Sequence, residues 1–203
     1  MGIKIIKLQT LLDSVGEIKT KDILSQFKSL PDYSTSNRND VEFFLHVKAI
    51  DFEKMALSTT YLVFSEYLNE NILVGYFSLA NKPLLMSKKN YSKLSNNQRR
   101  LLCQNGSRTE SGGYRVNSYL IGQLGKNFSE EALKTKAIDG TQLLTLAYDK
   151  VFEAKQLINA RFVWLECQNI PKLIKFYSDF GFKEVIGYES ENNMKVMIMK
   201  LKS

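Results

Sequence analysis

The sequence has few of the residues that build metal sites and disulfide frameworks. Its 203 residues include two cysteines, Cys103 and Cys167, and a single histidine, His46. Neither cysteine belongs to a CxxC pair or to a Cys/His cluster, so the spacing excludes a structural zinc site. A catalytic thiol would need His46 as its base, and His46 falls in a helical pattern that favours a structural role.

The sequence also lacks a long apolar run. No run approaches the roughly 20 residues that span a bilayer, and the N-terminal residues lack the pattern of a secretion signal. We therefore expect a cytoplasmic protein without membrane contact. The length suits a single domain over residues 1–203.

Negative charge is in deficit. The chain has 28 Lys and Arg against 21 Asp and Glu, which gives a net charge of +7. Such an excess attracts nucleic acid, but it also fits a small polyanionic cofactor. Apart from Lys88-Lys89 and Arg99-Arg100, the cations are scattered along the chain, so charge alone does not decide between these partners.

The N-terminal third is predicted to be helical. Apolar spacing over residues 3–30 predicts one or two short helices interrupted at Gly16. Turn-forming residues predict a loop at 31–39. Asp40 is then expected to cap a helix from Val41 to about Met55 that packs on a sheet.

A hairpin and an insertion are predicted next. Residues 60–68 and 72–79 are rich in β-branched and aromatic side chains and flank Asn69-Glu70-Asn71, which predicts an antiparallel pair. Strong periodicity is then lost, which predicts an insertion at about 82–115. A segment of this kind serves as a substrate-side lid or partner surface, or is plain surface decoration.

The C-terminal half is predicted to contain a βαβ unit. Strand-like patterns at 116–124 and 161–167 flank a helical stripe at 140–160, which predicts two parallel neighbouring strands. Residues 171–180 then form a short amphipathic helix with Pro171 in its first turn and Gly181 at its end. A closing hairpin is expected from 182–188 and 194–201.

The turn before the long helix offers the features of an anion site. Residues 134–141, KTKAIDGT, contain two lysines and one glycine immediately before the helix. Helix N-termini attract phosphate because their first N–H groups and the helix dipole point outward. An ordinary turn explains the same residues.

Two segments resemble the GNAT superfamily of acyltransferases. NIPKLIKFYSDFGF at 169–182 resembles the signature of an Asn followed by a helix that ends in an aromatic, a Tyr and Gly-Phe. YLIGQLGK at 119–126 resembles the fourth strand of that superfamily. The resemblance covers residues 60–201 apart from the insertion. Similar chains occur among Gram-positive and prophage members of the superfamily whose substrates are unassigned.

The resemblance implies an α+β fold. We expect a mixed, mostly antiparallel central sheet with a splayed parallel strand pair, flanked by helices. The single domain would carry N-terminal helices within 1–58 and the insertion at about 82–115. The resemblance also allows a homodimer.

The resemblance further implies acetyl-CoA as the bound cosubstrate and CoA as a product, with no metal. The backbones of Leu124, Gly125 and Lys126 would bind the pantetheine arm. Asn169 would contact the pantetheine or adenine side. The pyrophosphate would be held by Lys134, Lys136, Ala137, Ile138, Asp139, Gly140 and Thr141.

Two side chains are expected to carry the chemistry. Tyr177 stands where the superfamily places its general acid, and an ordinary phenol with a pKa of about 10 stays protonated at neutral pH. Glu166, at the end of a strand, is the candidate general base, and burial there would raise its pKa.

Three functions follow as hypotheses. The first is acetyl transfer to an unidentified small-molecule or peptide amine by direct attack in a ternary complex. The second, in the manner of toxin-type members, is transfer to aminoacyl-tRNA, which a basic surface would attract. The third is a binding module without catalysis, because Lys136 and Ile138 stand where the superfamily has spaced glycines.

Overall fold

The computed structural model describes residues 2–30, 39–104, 106–188, 190 and 194–202. The strands in this part of the chain are β1 Ile3–Lys7, β2 Thr59–Tyr67, β3 Glu70–Ala80, β4 Leu84–Met86, β5 Gly106–Arg108, β6 Tyr114–Val116, β7 Ser118–Lys126, β8 Phe162–Cys167, β9 Lys183–Glu184 and β10 Lys195–Lys200. The α-helices are α1 Leu8–Ser25, α2 Asp40–Phe43, α3 Ala49–Lys54, α4 Lys88–Lys93, α5 Asn96–Cys103, α6 Glu130–Thr135, α7 Gly140–Leu157 and α8 Pro171–Phe180.

Strand pairing confirms the predicted fold class. Seven strands pair in the order β1-β2-β3-β7-β8-β10-β9, and three more in the order β4-β6-β5. β7 and β8 run parallel, whereas β1 with β2, β2 with β3, and β8 with β10 run antiparallel. The fold is therefore α+β with one parallel strand pair. Among the described helices, none is long and apolar enough to cross a membrane.

The chain divides into two compact units. The first contains Met1–Ala80 and Gly122–Asp149, and the second contains Asn81–Ile121 and Lys150–Ser203. The core of the first includes Leu8, Leu24, Phe27, Leu45, Leu62 and Tyr76. The core of the second includes Leu84, Leu102, Phe162, Trp164 and Ile198. The single-domain interpretation of 1–203 stays a prediction.

The N-terminal segment is not helical throughout. Ile3–Lys7 forms a strand that pairs antiparallel with β2, with Ile3 opposite Ser65 and Lys7 opposite Tyr61. The prediction of helix here was wrong because a five-residue strand gains its hydrogen bonds from a distant partner, which local apolar spacing does not reveal. The predicted interruption is correct: Gly16 has φ 79° and ψ 167° inside α1. Of the loop predicted at 31–39, residues 31–38 lie outside the described residues.

The helix predicted over 41–55 exists but is irregular. Its cap is Asn39, whose side chain accepts a hydrogen bond from the Val41 amide, and Asp40 is already helical. A π-helical turn, Phe44–Lys48, separates α2 from α3. His46 lies in this turn, and its Nε2 is 3.0 Å from the carbonyl oxygen of Phe27, which supports the structural role expected for it.

The predicted hairpin forms, with a tighter turn. β2 and β3 pair from Thr59 opposite Leu79 to Tyr67 opposite Glu70. The turn is Leu68-Asn69, not Asn69-Glu70-Asn71, and both turn residues have positive φ, 51° and 65°. Two consecutive residues with positive φ match the twist of antiparallel strands, and asparagine tolerates this conformation well.

The insertion is folded. β4, β5 and β6 form a three-stranded sheet, and Leu84, Met86, Leu94, Leu102 and Val116 contribute to the core of the second unit. Ser87 caps α4, and Ser95 forms a capping box with Gln98 at α5. Each element has eight residues or fewer, too short for a periodic pattern to stand out in the sequence.

The βαβ unit forms as predicted. β7, α7 and β8 follow one another, and β7 pairs parallel with β8. α6 was missed, although Ser129 at its cap and Glu130-Glu131 in its first turn are a helix-start signal. α8 has Pro171 at its start and ends at Gly181, where φ is 121°. The closing hairpin is present as β9 and β10.

Candidate active site

The distal half of β7 has an unpaired backbone edge. β7 pairs with β8 over three residues, from Ser118 opposite Phe162 to Leu120 opposite Trp164. β7 itself continues to Lys126, so within the described pairing residues 122–126 have no partner on that edge. Alternating N–H and C=O groups on such an edge can bind an extended ligand that carries amides. The residues predicted to hold pantetheine, 124–126, lie on this segment.

Gly125 is buried against the core of the first unit. A Cβ at this position would lie 2.5 Å from Val41 Cγ1, 2.8 Å from Phe27 Cζ and 3.0 Å from Tyr76 Cε1. The glycine lets β7 approach these side chains, which a larger residue would push away. Close packing therefore accounts for the glycine and fixes the path of the unpaired edge.

Asn127, immediately after β7, fixes the end of this strand. Its side chain is buried and donates to Leu73 O at 2.7 Å. Its Oδ1 accepts from the amides of Lys28 and Ser129, both at 2.9 Å. Sequence reasoning missed Asn127, because its partners lie up to about a hundred positions away and no local pattern marks them.

The predicted pyrophosphate loop lies between α6 and α7. Lys134 and Lys136 are exposed, and Ile138 is buried. Lys136 has φ 49° and ψ 24° at the end of α6, a left-handed conformation that costs a side-chain-bearing residue roughly 1 kcal/mol. A glycine would suit this position for conformational reasons, and the lysine adds a cation there.

The start of α7 is already capped by its own chain. The Asp139 carboxylate accepts from the Gln142 amide at 2.8 Å, and the Gln142 side chain accepts from the Asp139 amide at 2.8 Å. The Ala137 amide donates to Thr135 Oγ1. These bonds occupy two N–H groups that the anion-site hypothesis would direct to phosphate, those of Ala137 and Asp139, and Asp139 adds a negative charge beside them. The capping box, D-x-x-Q, is readable in the sequence.

An open cavity of about 290 Å³ lies beside this loop. It is lined by Ile3, Ala137, Ile138, Gln142, Thr145 and Leu146. The lining combines apolar side chains with an amide and a hydroxyl. The cavity therefore suits a partly apolar ligand group, and it adjoins two of the residues predicted to bind acetyl-CoA.

Tyr177 lies on α8 beside two phenylalanines. Its ring contacts those of Phe176 and Phe182 edge-on, with centroids 5.0 and 6.0 Å apart. Burial, with a smaller effect from Cys167, raises the pKa of Tyr177 far above its usual value. The phenol therefore stays protonated at physiological pH, as a hydrogen-bond donor requires.

Glu166 and Asn169 are both exposed. The burial expected for Glu166 is wrong: it is the one exposed residue of β8 and lies near the end of the strand, although Phe162 and Trp164, which share its face, are buried. Asn169 follows β8 and precedes α8, as the motif predicts. These two residues and Tyr177 belong to the second unit, whereas 124–126 and 134–141 belong to the first.

Neither cysteine has the character of a catalytic nucleophile. Burial raises the pKa of the Cys103 and Cys167 thiols, which lowers the fraction of reactive thiolate. Both cysteines are free thiols. Within the described residues, no group of three or more His, Cys, Asp or Glu side chains could hold a metal ion.

Comparison with known proteins identifies the fold. No protein-family model and no curated protein matches the sequence. Among solved structures, AtaT complexed with acetyl-methionyl-tRNAfMet matches 98% of this chain and 95% of its own at a TM-score of 0.59 and 14% identity. A point mutant of KacT has the same coverage, with a TM-score of 0.60 and 13% identity. The chain has a GNAT-like fold.

A third structure extends this likeness to a ligand-bound protein. AtaTR bound with acetyl-CoA matches 98% of this chain and 92% of its own, with a TM-score of 0.56 and 17% identity. The likeness thus extends over nearly the whole chain.

Proposed function

We propose that this protein is an acetyl-CoA-dependent N-acetyltransferase whose acceptor is the α-amino group of aminoacyl-tRNA. The observation that carries the proposal is the GNAT-like fold over 98% of the chain, shared with AtaT complexed with acetyl-methionyl-tRNAfMet. The bound form of AtaTR supports acetyl-CoA as the donor. Of the three hypotheses from the sequence, this is the toxin-type alternative.

The distal edge of β7 fits the pantetheine arm of the donor. Acetyl-CoA supplies the acetyl group as a thioester. Residues 124–126 offer unpaired backbone donors and acceptors, which the two amides of pantetheine would satisfy as an added strand does. Lys134, Lys136 and the amides of Gly140 and Thr141 would hold the phosphates, and the Asp139 carboxylate would weaken that binding.

Tyr177 would act as the donor to the leaving sulfur. The neutral amine nitrogen forms a bond to the acetyl carbon and gives one proton to solvent, and the carbon–sulfur bond breaks. The sulfur leaves as a thiolate under a hydrogen bond from Tyr177 and then takes a proton from solvent. Burial raises the pKa of the Tyr177 phenol, so the phenol stays protonated at physiological pH and can donate a hydrogen bond to the leaving sulfur. Backbone N–H groups of 124–126 would stabilise the carbonyl oxygen as it gains charge.

The exposure of Glu166 favours an α-amino acceptor. Glu166, the candidate general base, is exposed to water instead of buried in the site. At pH 7.4 an α-amino group with a pKa near 8 is neutral in about one molecule in five, whereas a lysine amine near 10.4 is neutral in about one in a thousand. An α-amino group therefore needs little help from a general base.

The proposal is tested by binding and by transfer. Acetyl-CoA at 1 mM is expected to raise the melting temperature of the purified protein, because a ligand that binds the native state stabilises it. Transfer is then measured with radiolabelled acetyl-CoA and a mixture of aminoacylated tRNAs. Label is expected in acid-precipitable RNA and should be released by mild alkali, which cleaves the aminoacyl ester.

Parallel acceptors discriminate the alternatives. Polyamines and lysine-containing peptides are offered in the same assay at matched amine concentration. Faster labelling of these amines than of aminoacyl-tRNA would replace the proposed acceptor by a free amine. An unchanged melting temperature with acetyl-CoA, together with no transfer to any acceptor, would contradict the proposed function and favour the hypothesis of a binding module without catalysis.

A further inference from the structure

The net charge of the chain is concentrated in one segment. Residues 81–121 contain eight Lys and Arg but a single carboxylate, Glu110, and therefore carry +7. The other 162 residues contain 20 charges of each sign and sum to zero. Four of the six arginines of the protein lie within this segment, which we call the basic segment.

The basic segment presents its cations on a folded scaffold. Its cations are all exposed except Arg99, which is half-buried. They lie at 82, 88, 89, 93, 99, 100, 108 and 115, on α4, α5, β5, β6 and the turn before β4. Beneath them, Leu84, Met86, Leu94, Leu102 and Val116 are buried. The charges are therefore held on a packed surface.

Two arginines are held by tyrosines. The rings of Tyr91 and Tyr114 stack with centroids 4.9 Å apart, and the Arg99 guanidinium lies 5.1 Å from the Tyr91 centroid. Arg99 also donates to the carbonyls of Tyr91 and Ser92, at 3.3 and 2.6 Å. The side chain of Arg108 interacts with Tyr114 and Tyr91. Among the described residues, no carboxylate pairs with either guanidinium group.

Most cations of the basic segment have no acidic partner among the described residues. Within the part of the chain that the structure describes, Lys88, Arg99, Arg100, Arg108 and Arg115 take part in no ion pair. The described ion pairs lie on α1 with α3, on α7, on α8 and between β9 and β10. These five cations are therefore available to an external anion.

We infer that the basic segment binds the phosphate backbone of RNA and holds the tRNA body of the proposed substrate. The choice of RNA rests on the proposed function; the location rests on the charge distribution and on the fixed arginines. Guanidinium groups are planar, weakly hydrated donors that match phosphate oxygens. A surface with eight cations and one carboxylate suits a regularly charged backbone better than a protein, whose interface rim mixes both signs.

Two triple variants with equal change in net charge test the location. The segment variant K88Q/R100Q/R115Q removes three exposed cations of the basic segment. The control variant K4Q/K19Q/K28Q removes three exposed lysines from the first unit. Binding of fluorescein-labelled, uncharged tRNA is measured by anisotropy from 50 to 300 mM KCl, and circular dichroism checks that both variants fold.

The segment variant is expected to bind tRNA at least tenfold more weakly than the wild type at 100 mM KCl, and the control less than threefold. The slope of log Kd against log salt should fall by about 2 in the segment variant alone, because each lost phosphate contact removes about 0.7 to 0.9. Equal weakening in both variants, or no tRNA binding by the wild type, overturns the inference. Equal competition by duplex DNA overturns the assignment to RNA.

The test is separable from that of the proposed function. Uncharged tRNA has no acceptor amino acid, and acetyl-CoA is absent from the titration. Binding through the basic segment without stabilisation by acetyl-CoA would overturn the proposed function and leave the surface standing. Acetyl transfer to aminoacyl-tRNA, together with equal Kd values of the two variants for uncharged tRNA, would support the proposed function and overturn the assignment of RNA binding to the basic segment.

Discussion

At the scale of single residues, Tyr177 shows how packing changes the chemistry expected from sequence. The motif suggests a phenol with an ordinary pKa, close to that of a thiol. Aromatic contacts and burial instead raise the pKa of Tyr177 well above that of free tyrosine. The hydroxyl is thereby kept as a permanent hydrogen-bond donor, and full proton transfer from it to a thiolate becomes less favourable.

Replacement of Tyr177 by Phe is expected to lower kcat for acetyl transfer by about 10- to 100-fold. This is at or below the lower end of the roughly 10²- to 10⁴-fold that a full general acid contributes, because Tyr177 donates a hydrogen bond without transferring its proton completely. The ring contacts with Phe176 and Phe182 are retained, so the melting temperature and its rise with acetyl-CoA should persist. Steady-state kinetics with aminoacyl-tRNA, alongside thermal melts, measures both quantities.

A matched control is Tyr67→Phe, which removes one hydroxyl from a half-buried tyrosine of β2. It should keep kcat within about twofold of the wild type. If Tyr177→Phe retains wild-type kcat, the hydroxyl has no part in the reaction, and Tyr177 serves only to pack α8.

At the scale of elements, helix capping and phosphate binding at the start of α7 favour opposite charges. The Asp139 carboxylate stabilises the helix by accepting from the Gln142 amide, and a good N-cap contributes about 1 kcal/mol. The same negative charge opposes phosphate at the same helix end. A helix with this cap should therefore bind acetyl-CoA less tightly than an otherwise equal helix with a neutral cap.

Asp139→Asn is expected to tighten acetyl-CoA binding by about three- to fivefold, as measured by calorimetry. Asparagine caps helices as well as aspartate does, so stability should change little while the repulsion is removed. Asp149→Asn, an exposed position ten residues further along α7, removes the same charge far from the helix start. Identical Kd values for the two variants would place the phosphates away from this loop.

Short elements explain most of the differences between sequence and fold. α7 and α8 have long stripes or clear caps, and their positions were predicted closely. β1 and the elements of the insertion have three to eight residues, and their stability comes from partners distant in sequence. The π-helical turn at Phe44–Lys48 likewise has no signature in apolar spacing.

At the scale of the whole molecule, charge is organised by segment. The cations look scattered when they are counted along 203 residues, because lysines occur throughout. The carboxylates, in contrast, are distributed unevenly: residues 81–121 contain only one of the 21 Asp and Glu residues. This asymmetry was readable from the sequence by counting acids as well as bases, whereas the tyrosine contacts that fix Arg99 and Arg108 were not.

Stability is expected to fall in alkaline solution. Burial raises the pKa of Tyr76 and of Tyr177, and Tyr76 is fully buried with its hydroxyl 2.5 Å from Val41 O. Unfolded tyrosine ionises near pH 10 while these two stay protonated in the native state, so the unfolded state binds fewer protons above that pH. The free energy of unfolding should be unaffected by both groups below about pH 9 and decrease above pH 10.

Urea unfolding of the wild type and of Tyr76→Phe from pH 7 to 10.5 measures this effect. Tyr76→Phe loses the hydrogen bond to Val41 and should be less stable at pH 7, but its stability should decline less steeply above pH 9.5. A decline as steep as that of the wild type would assign the alkaline loss to other groups, such as the lysines.

The sequence by itself determined the fold class, the βαβ unit, the helix that carries Tyr177 and the excess of positive charge. The fold class follows from the resemblance to the GNAT superfamily, and the other three follow from local periodicity, caps and composition, each of which acts within a few turns of chain. Tertiary structure decided the rest: the strand at Ile3–Lys7, the unpaired edge of β7, the exposure of Glu166 and the raised pKa of Tyr177. Strand partners and burial depend on residues far apart in sequence, so no local pattern encodes them.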